Sequence, residues 1–240
     1  MDKQAMDTLK QWIEESKHIV FFGGAGVSTE SNIPDFRSTD GLYHQEYEQD
    51  PETILSHSFY MKHPEEFYRF YRNKMLFPDA KPNAAHLALA KLEAQGKLDA
   101  IITQNIDGLH QKAGSKRVYE LHGSVLHNYC TECGKYYGME SILEADGVPY
   151  CGCGGVIKPD VVLYEENLNS EVLRDAVRAI ENADMLIVGG TSLVVYPAAG
   201  LLDFYLGDRL VLINRDKTEK DSRANLVIHD SIGKTLEYLL

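Results

Sequence analysis

The feature that most constrains the fold of this 240-residue chain is a series of six short apolar runs. None of them alternates polar and apolar residues, which is typical of parallel strands covered on both faces. Helical patterns lie between the runs, so the sequence predicts a doubly wound α/β sheet. The predicted strands are residues 18–22, 100–103, 118–121, 185–188, 210–213 and 226–228.

Two of the predicted helices have recognisable ends. Pro82 is predicted to open one helix and Gly96 to close it, because proline suits a first helical turn and glycine a helix end. Ser170 is predicted to cap another helix, in which apolar residues recur at helical spacing. This stripe consists of Val172, Leu173, Ala176, Val177 and Ile180.

The N-terminal segment predicts an amphipathic helix, since Met6, Leu9 and Ile13 recur at helical spacing among charged residues. It has no apolar core of the kind that a signal peptide needs, and no stretch reaches the ~18 apolar residues of a membrane span. The formal net charge of −12 disfavours general binding to nucleic acid or anionic membrane. We therefore expect a cytoplasmic protein with no nucleic-acid or membrane partner.

One segment, 128–155, interrupts the alternation of strands and helices and contains all four cysteines. Cys130 and Cys133 form a C-x2-C pair, and Cys151 and Cys153 form a C-x-C pair. Two close thiolate pairs match tetrahedral zinc, and four sulfur ligands leave no position for a catalytic water. We predict one structural zinc ion; two disulfides, which are disfavoured in a cytosolic chain, or four ordinary buried cysteines are the alternatives.

A glycine-rich turn at 23–29 follows the first predicted strand. Such a turn lets backbone N–H groups approach a pyrophosphate at a helix N-terminus. Gly24 and Gly26 fit the G-x-G-x-x-G pattern, but Thr29 occupies its third glycine position. The turn alone leaves both nucleotide binding and simple strand-to-helix packing open.

A second glycine turn at 189–192 follows another predicted strand, and Asn214 comes at the end of the strand predicted at 210–213. Both features lie at carboxyl ends of strands, where open α/β sheets bind their ligands. Asn214 could therefore bond a ribose hydroxyl, or it could be an ordinary turn residue.

Several motifs, taken together and in order, resemble the sirtuin (Sir2) family. They are the glycine turn at 24–28, Ile-Pro-Asp-Phe-Arg-Ser at 33–38, Thr-Gln-Asn-Ile-Asp-Gly-Leu-His at 103–110 and Glu-Leu-His-Gly-Ser at 120–124. The four cysteines follow, and then Lys-Pro-Asp-Val-Val at 158–162 and Gly-Gly-Thr-Ser-Leu at 189–193. The resemblance implies an NAD-dependent protein lysine deacylase, first of all a deacetylase, that acts on acetylated proteins or peptides.

The resemblance also implies two domains with a cleft for NAD and acyl-lysine between them. The large Rossmann-like domain would comprise about 1–35, 80–125 and 157–240. The small domain would combine a helical or loop insert at about 36–79 with the zinc module at about 126–156. Residues 40–51 are expected to form a mobile loop over the cofactor.

The resemblance assigns ligand contacts to individual residues. The phosphates and ribose would be contacted by Gly24, Ala25, Gly26, Thr29 and Arg37, and the nicotinamide end by Phe36. The nicotinamide pocket would be formed by Gln104, Asn105, Ile106 and Asp107, with Asp107 holding the carboxamide. The adenosine half would be bound by Thr191, Ser192, Asn214 and Ser231. The substrate would add a strand between Val161, Val162 and Leu163 on one side and Val194, Val195 and Tyr196 on the other.

The chemistry of such a reaction requires orientation and a base. The acyl oxygen is a weak nucleophile toward the ribose, so orientation in a dry cleft must supply much of the rate. A ribose hydroxyl then needs a general base with a pKa near neutrality. The resemblance gives this role to His122, which suits it with an unperturbed pKa of ~6.5. Asn105 and Asp107 would complete the catalytic set, although N-x-D-G is also good turn chemistry.

The sequence departs from the usual family pattern at a few positions. Asn32 replaces a glycine and can still adopt a left-handed backbone. Lys158 replaces an arginine, and Glu165 stands where glycine is common, which adds charge at the rim of the peptide cleft. The desuccinylase branch grips acidic acyl groups with a Tyr-x-x-Arg pair; here Tyr71 follows Tyr68 at that spacing. Acetyl or another neutral acyl group is therefore favoured.

Other functions stay open at this point. A mono-ADP-ribosyltransferase or a longer-chain deacylase could use the same cleft. A non-catalytic NAD sensor or zinc-ribbon adaptor would bind NAD without releasing nicotinamide. The combination of His122 with Asn105 and Asp107 argues against a sensor, because a sensor needs no base. His86 and His110 also lie in family-like contexts and are interpreted as structural supports.

Overall fold

The computed structural model describes residues 2–35 and 49–238, which contain two β-sheets. The strands are β1 (Ile19–Gly23), β2 (Leu98–Thr103), β3 (Val118–Glu120), β4 (Gly123–Cys130), β5 (Tyr136–Tyr137), β6 (Ile157–Val161), β7 (Met185–Gly189), β8 (Leu210–Ile213) and β9 (Leu226–Ile228). The α-helices are α1 (Lys3–Glu15), α2 (Pro51–Ile54), α3 (His57–Lys62), α4 (Pro64–Lys74), α5 (Ala84–Ala94), α6 (Leu109–Lys112), α7 (Glu140–Leu143), α8 (Ser170–Glu181) and α9 (Ile232–Glu237).

All six predicted apolar runs form one sheet, which confirms the doubly wound α/β prediction. The strand order is β3-β2-β1-β7-β8-β9, and every pairing is parallel. The chain first adds strands on one side of β1 and later returns to add β7 on the other side. The strand order therefore reverses beside β1, and such a switch point is where open α/β sheets bind ligands, at the carboxyl ends of the strands.

Both faces of the parallel sheet are covered, which explains why its strands lack polar alternation. Ile19 and Phe21 pack into one core together with buried residues of α1, α5 and α9. Val20 and Phe22 point to the opposite core, which contains residues of α8 and of the 3-10 helix Ala198–Phe204. The rigid sheet between these cores holds β1 and β7 side by side.

Two predicted helix starts are wrong by one or two residues. Asn169, not Ser170, caps α8, and its side chain accepts hydrogen bonds from the Glu171 and Val172 N–H groups. In the same way α5 begins after Asn83, so Pro82 lies outside the helix. Both caps reflect the need for a side-chain oxygen two or three residues before the unpaired N–H groups. Gly96 follows the end of α5 with φ +71, as predicted for a helix-closing glycine.

The second sheet is antiparallel, with the order β5-β4-β6. It shares a third core with α2, α3 and α4, in which Phe67, Tyr68 and Tyr71 are fully buried. The sheet runs from Gly123 to Val161, a few residues beyond the predicted zinc module at both ends. Within the ranges described, none of the helices has both the length and the apolar content needed to cross a membrane. Residues 36–48 lie outside these ranges.

Candidate active site

Two glycine turns touch at the carboxyl edge of the parallel sheet, because β1 and β7 are neighbours. The Gly26 N–H donates to the Gly190 carbonyl at 2.8 Å. A Cβ on Gly26 would lie 2.8 Å from Gly190 Cα, and one on Gly24 would lie 2.8 Å from Thr191 Cβ. Gly190 itself has φ +61. Only residues without a side chain allow this close approach.

The first turn leaves the Ala25 backbone N–H as a donor for a ligand. Ala25 opens the 3-10 helix Ala25–Val27, and its backbone N–H has no hydrogen-bond partner among the described residues. The Thr29 hydroxyl donates to the Gly26 carbonyl at 3.0 Å, so it closes the turn. Asn32 has φ 62, which confirms the left-handed backbone predicted there.

The second turn is fixed by two side chains. The Asn214 side-chain oxygen accepts from the Thr191 N–H at 2.9 Å, and the Gln104 side chain donates to the Thr191 hydroxyl at 3.0 Å. The Asn214 Nδ2 atom is buried and has no partner among the described residues. A buried amide with an unused donor requires an acceptor, such as a ligand hydroxyl.

A buried hydroxyl that the sequence analysis did not single out joins the two catalytic candidates of the 105–107 loop. Ser28 Oγ donates to Asp107 Oδ2 at 2.6 Å and accepts from Asn105 Nδ2 at 3.1 Å. Asp107 Oδ1 also accepts from the Leu109 N–H at 2.9 Å, so its interpretation as a turn former holds as well. Ser28 belongs to the quoted glycine motif, but a serine in that place also suits a helix cap, and nothing in the sequence separates the two roles.

His122 lies between β3 and β4 with one ring nitrogen fixed. Its Nδ1 is 2.9 Å from the carbonyl oxygen of Gln104. Because a carbonyl only accepts, Nδ1 must carry the proton, and Nε2 of the neutral ring keeps its lone pair. Burial lowers the pKa of His122, and the Gln104 carbonyl acts in the opposite direction. The ring is therefore a neutral base at pH 7.

His86 and His110 form a buried pair behind this loop, with ring centroids 4.7 Å apart. His86 Nδ1 accepts from the Asn83 N–H at 3.2 Å. Burial lowers the pKa of His86 to about 4 and that of His110 to about 3. Both rings are neutral at pH 7, in keeping with their interpretation as structural supports.

Glu120 is a second acidic group at the edge of the site that the sequence analysis missed. Its Oε1 is buried and has no hydrogen-bond partner among the described residues. Burial is the main cause that raises the pKa of Glu120 to about 7, and the Asp107 and Asp160 carboxylates add to it. The carboxyl group is therefore partly protonated at neutral pH. A glutamate at a strand end gives no sequence signal for this, since the effect depends on neighbours that are distant in the chain.

The remaining predicted cofactor residues are scattered around this edge. Ile106 bonds through its carbonyl to the Val125 N–H at 2.9 Å. Ser192 is exposed on the second turn, and Ser231 precedes α9 at the carboxyl end of β9. Phe36 and Arg37 lie outside the described residues.

The segment predicted to flank the substrate, Val161–Leu163, continues β6, which is the edge strand of the small sheet. The Val162 N–H donates to the His122 carbonyl at 2.9 Å, so this segment starts beside the predicted base. Val194 and Tyr196 are predicted to flank the other side of the substrate peptide. Their side chains are 52% and 66% exposed, which is unusual for large apolar residues. Tyr68 donates its hydroxyl to the Ile157 carbonyl at 2.7 Å, and Tyr71 is fully buried, so neither hydroxyl reaches a surface.

The four cysteines converge. Their Sγ atoms all lie within 4.8 Å of one another, with Cys130 3.5 Å from Cys153 and Cys133 3.7 Å from Cys151. These separations exceed a disulfide bond of about 2.05 Å and agree with the ~3.8 Å edge of a tetrahedron with Zn–S bonds of about 2.3 Å. The donor set fits one structural zinc ion.

Tyr137 supports this cluster, which the sequence did not suggest. Its hydroxyl donates to Cys151 Sγ at 3.0 Å, and Lys135 Nζ lies 5.2 Å from its ring centroid. A hydrogen bond to a ligand sulfur orients the ligand and disperses its charge. The tyrosine reaches the sulfur because β5 pairs with β4, a contact that no spacing rule encodes.

The chain is similar to known proteins. The family model described as "Sir2 family" matches residues 24–197. A curated NAD-dependent protein deacetylase of Clostridium acetobutylicum is 59% identical over 239 residues, 98% of each chain. One of Clostridium perfringens is 61% identical over 235 residues, 96% of each chain.

Solved structures agree with the sequence matches. A Sir2 protein described with a p53 peptide and NAD+ has a TM-score of 0.86 at 42% identity, over 98% of this chain and 96% of that one. Another, described with a deacetylated p53 peptide and 3′-O-acetyl ADP-ribose, has a TM-score of 0.89 at 42% identity, over 96% and 95%. Because the family model spans most of the chain and relatives match it almost end to end, this chain belongs to the Sir2 family.

Proposed function

We propose that the chain is an NAD-dependent protein lysine deacetylase that releases nicotinamide and O-acetyl-ADP-ribose. The observation that carries this proposal is the state of His122, whose Nδ1 is fixed on the Gln104 carbonyl so that Nε2 is a free base. A sensor or an adaptor needs no such group. Curated relatives at 59% and 61% identity are named as deacetylases of this kind.

NAD, when bound, supplies a ribose carbon that becomes electrophilic as nicotinamide leaves. The Ala25 N–H, which has no partner within 2–35 or 49–238, and the close approach at Gly24 and Gly26 fit its pyrophosphate. The unused Asn214 Nδ2 fits a ribose hydroxyl of the adenosine half. The other adenosine contacts in the proposal are Thr191, Ser192 and Ser231, and those near the phosphates and nicotinamide are Thr29, Phe36 and Arg37.

The 104–107 loop holds the nicotinamide end in this proposal. The Ser28 hydroxyl fixes the Asp107 and Asn105 side chains in one orientation, so the loop presents a preorganised polar surface. Gln104 and Ile106 flank it, and Gln104 also sets the tautomer of His122. Nε2 of His122 then accepts the proton of a ribose hydroxyl as general base.

The acyl-lysine peptide adds as a strand beside Val161, Val162 and Leu163. Val194, Val195 and Tyr196 cover its other side. Among the described residues, no tyrosine–arginine pair of the predicted kind is available to bind an acidic acyl group, because Tyr68 and Tyr71 are buried in the core beneath the antiparallel sheet. Acetyl is therefore the preferred acyl group, and an acetylated protein or peptide is the substrate.

Zinc in this proposal is structural. Cys130, Cys133, Cys151 and Cys153 would hold one ion, which ties β4 and β5 to the loop before β6. The division into a large domain and a zinc-bearing small domain, with the boundaries predicted from the sequence, and a cytoplasmic location are parts of the same proposal.

The test is nicotinamide release from NAD with an acetyl-lysine peptide, with deacetylated product followed by mass. We expect release that requires peptide and keeps pace with deacetylation. His122→Ala should lower the rate by at least a hundredfold, at the lower end of what general-base catalysis contributes, while NAD binding by calorimetry stays close to wild type. His18→Ala, at the opposite edge of the sheet, is the matched control and should keep full activity.

The alternatives give different results. Label from the adenosine half of NAD that becomes attached to protein would favour ADP-ribosyl transfer. NAD binding without nicotinamide release would favour a sensor, and full activity of His122→Ala would refute the role given to this residue.

A further inference from the structure

A tight turn follows the segment Val161–Leu163, beside which the substrate is proposed to dock. This turn contains Glu165, whose backbone is left-handed. The Glu166 N–H donates to the Leu163 carbonyl at 3.0 Å, so 163–166 form a four-residue turn. Glu165 at its third position has φ +75. This left-handed backbone favours glycine, and residues with side chains rarely adopt it. The turn thus keeps a glutamate at a position where glycine would relax the backbone.

The backbone of Glu165 is available to a partner. Val162 and Tyr164 direct their N–H groups to His122 and Leu55, on one side of the segment. Neither the N–H nor the C=O of Glu165 makes a hydrogen bond with any residue in 2–35 or 49–238. Glu165 lies in the turn just beyond the edge strand β6, and an added peptide strand uses unpaired backbone groups of this kind.

The Glu165 carboxylate is fixed in place without being neutralised. Its two oxygens accept from Ser58 N at 2.9 Å and from Ser58 Oγ at 3.0 Å, and neither donor is charged. The neighbouring Glu166 differs, since it pairs with Lys158 Nζ at 3.2 Å and with His57 Nδ1 at 2.8 Å. Glu165 therefore presents a negative charge beside its own open backbone.

We propose that Glu165 is a specificity-determining residue that selects acyl-lysine peptides with a cationic side chain near the acyl-lysine. The inference rests on the proposed function, because it needs the peptide to dock beside Val161–Leu163. A peptide strand that bonds to the Glu165 backbone brings its flanking side chains within reach of the carboxylate. An exposed charge pair of this kind changes affinity by about two- to fivefold.

A purely structural role has a different signature. Glu165 could serve only to attach the turn to the start of α3 through Ser58. Its removal would then change stability and weaken every peptide by the same factor. Selection by charge instead changes the ratio of affinities between cationic and neutral peptides.

The experiment is isothermal titration of the full chain, without NAD, with acetyl-lysine peptides. One position at a time on either side of the acetyl-lysine carries Arg, Gln or Glu. We compare the wild type with Glu165→Gln, which keeps an acceptor for Ser58, and with Glu181→Gln on α8, which removes the same charge elsewhere. Thermal unfolding checks that each variant is folded.

We expect the wild type and Glu181→Gln to bind the Arg peptide about two- to fivefold more tightly than the Gln peptide at one or more positions. Glu165→Gln should lose this ratio, and salt should diminish it in the wild type. A ratio that survives in Glu165→Gln, the lack of any ratio in the wild type, or a failure of the wild type to bind any acetyl-lysine peptide would overturn the inference. A protein that shows the expected ratios but does not deacetylate would refute the proposed reaction alone.

Discussion

Replacing Gly26 by alanine should separate the two glycine turns. The new Cβ would lie 2.8 Å from Gly190 Cα and 2.9 Å from its carbonyl oxygen, and Gly190 directly follows Gly189, the last residue of β7, which is paired on both sides. Overpacking of this kind costs about 1–3 kcal/mol. Displacement of the turn also weakens the 2.8 Å hydrogen bond from Gly26 to Gly190, which contributes about 0.5–1.5 kcal/mol.

Together these effects should lower the free energy of unfolding by about 1.5–4.5 kcal/mol. With a urea m-value of roughly 3 kcal/mol/M, the midpoint of urea unfolding falls by roughly 1 M. NAD affinity, measured by titration calorimetry below that midpoint, should fall at least about tenfold, because the Ala25 N–H moves with the turn.

The matched control is Gly200→Ala. A Cβ there meets only Tyr196 ring atoms at 3.6 Å or more, an ordinary contact distance. Its stability should stay within about 0.5 kcal/mol of wild type. The reasoning would be refuted if Gly26→Ala unfolded at the wild-type urea concentration, since the turns would then have room that the structure denies them.

Three further outcomes follow from individual side chains. The pKa of Glu120 is about 7 when folded, above its ordinary ~4.3, so this group binds more protons in the folded state and its own contribution to stability falls as pH rises from ~4.3 to 7; the stability of wild type relative to Glu120→Gln should therefore fall over this range in a urea series over pH. The buried His86 and His110 have pKa values of about 4 and about 3, so these two groups bind more protons in the unfolded state and their own contribution to stability drops as pH falls from ~6.5 to 4; His110→Asn should change the slope of stability against pH by up to one proton in this range, whereas an unchanged slope would contradict its burial as a neutral ring. Tyr137→Phe should transfer zinc to a chromogenic chelator about tenfold faster, because the Cys151 sulfur loses its hydrogen bond. The control is Tyr136→Phe, which should match wild type because the Tyr136 hydroxyl bonds to a backbone carbonyl and not to a ligand sulfur.

The parallel strands were predictable because a strand covered on both faces must be apolar throughout. The strand order was not, since β1 pairs with β2 and β7 through contacts far apart in the chain. Helix ends shifted by a residue or two where two polar residues compete to cap, as Asn169 and Ser170 do. The antiparallel sheet escaped prediction because β5 has only two residues and the register shifts within the β4–β6 pair.

The site was predictable in part. Sequence motifs located His122, but the tautomer depends on the Gln104 carbonyl, which only the fold places beside the ring. Ser28 was part of a recognised motif, yet its two hydrogen bonds cross from one strand end to another. The strain at Glu165 comes from its positive φ angle, which cannot be predicted from the amino-acid composition.

The position of β1 between β2 and β7 affects how the protein folds during its synthesis. The His18 N–H bonds to Asp184, 166 positions later in the chain, at the start of the two strands. Until β7 has been synthesised, β1 has one edge of unpaired N–H and C=O groups between faces of apolar side chains, and such an edge promotes aggregation. Truncated chains that end before β7 should therefore aggregate instead of remaining as a smaller folded unit. The two glycine turns meet only when β1 pairs with β7, which are far apart in the chain. The proposed NAD site can therefore form only after this slow, non-local pairing.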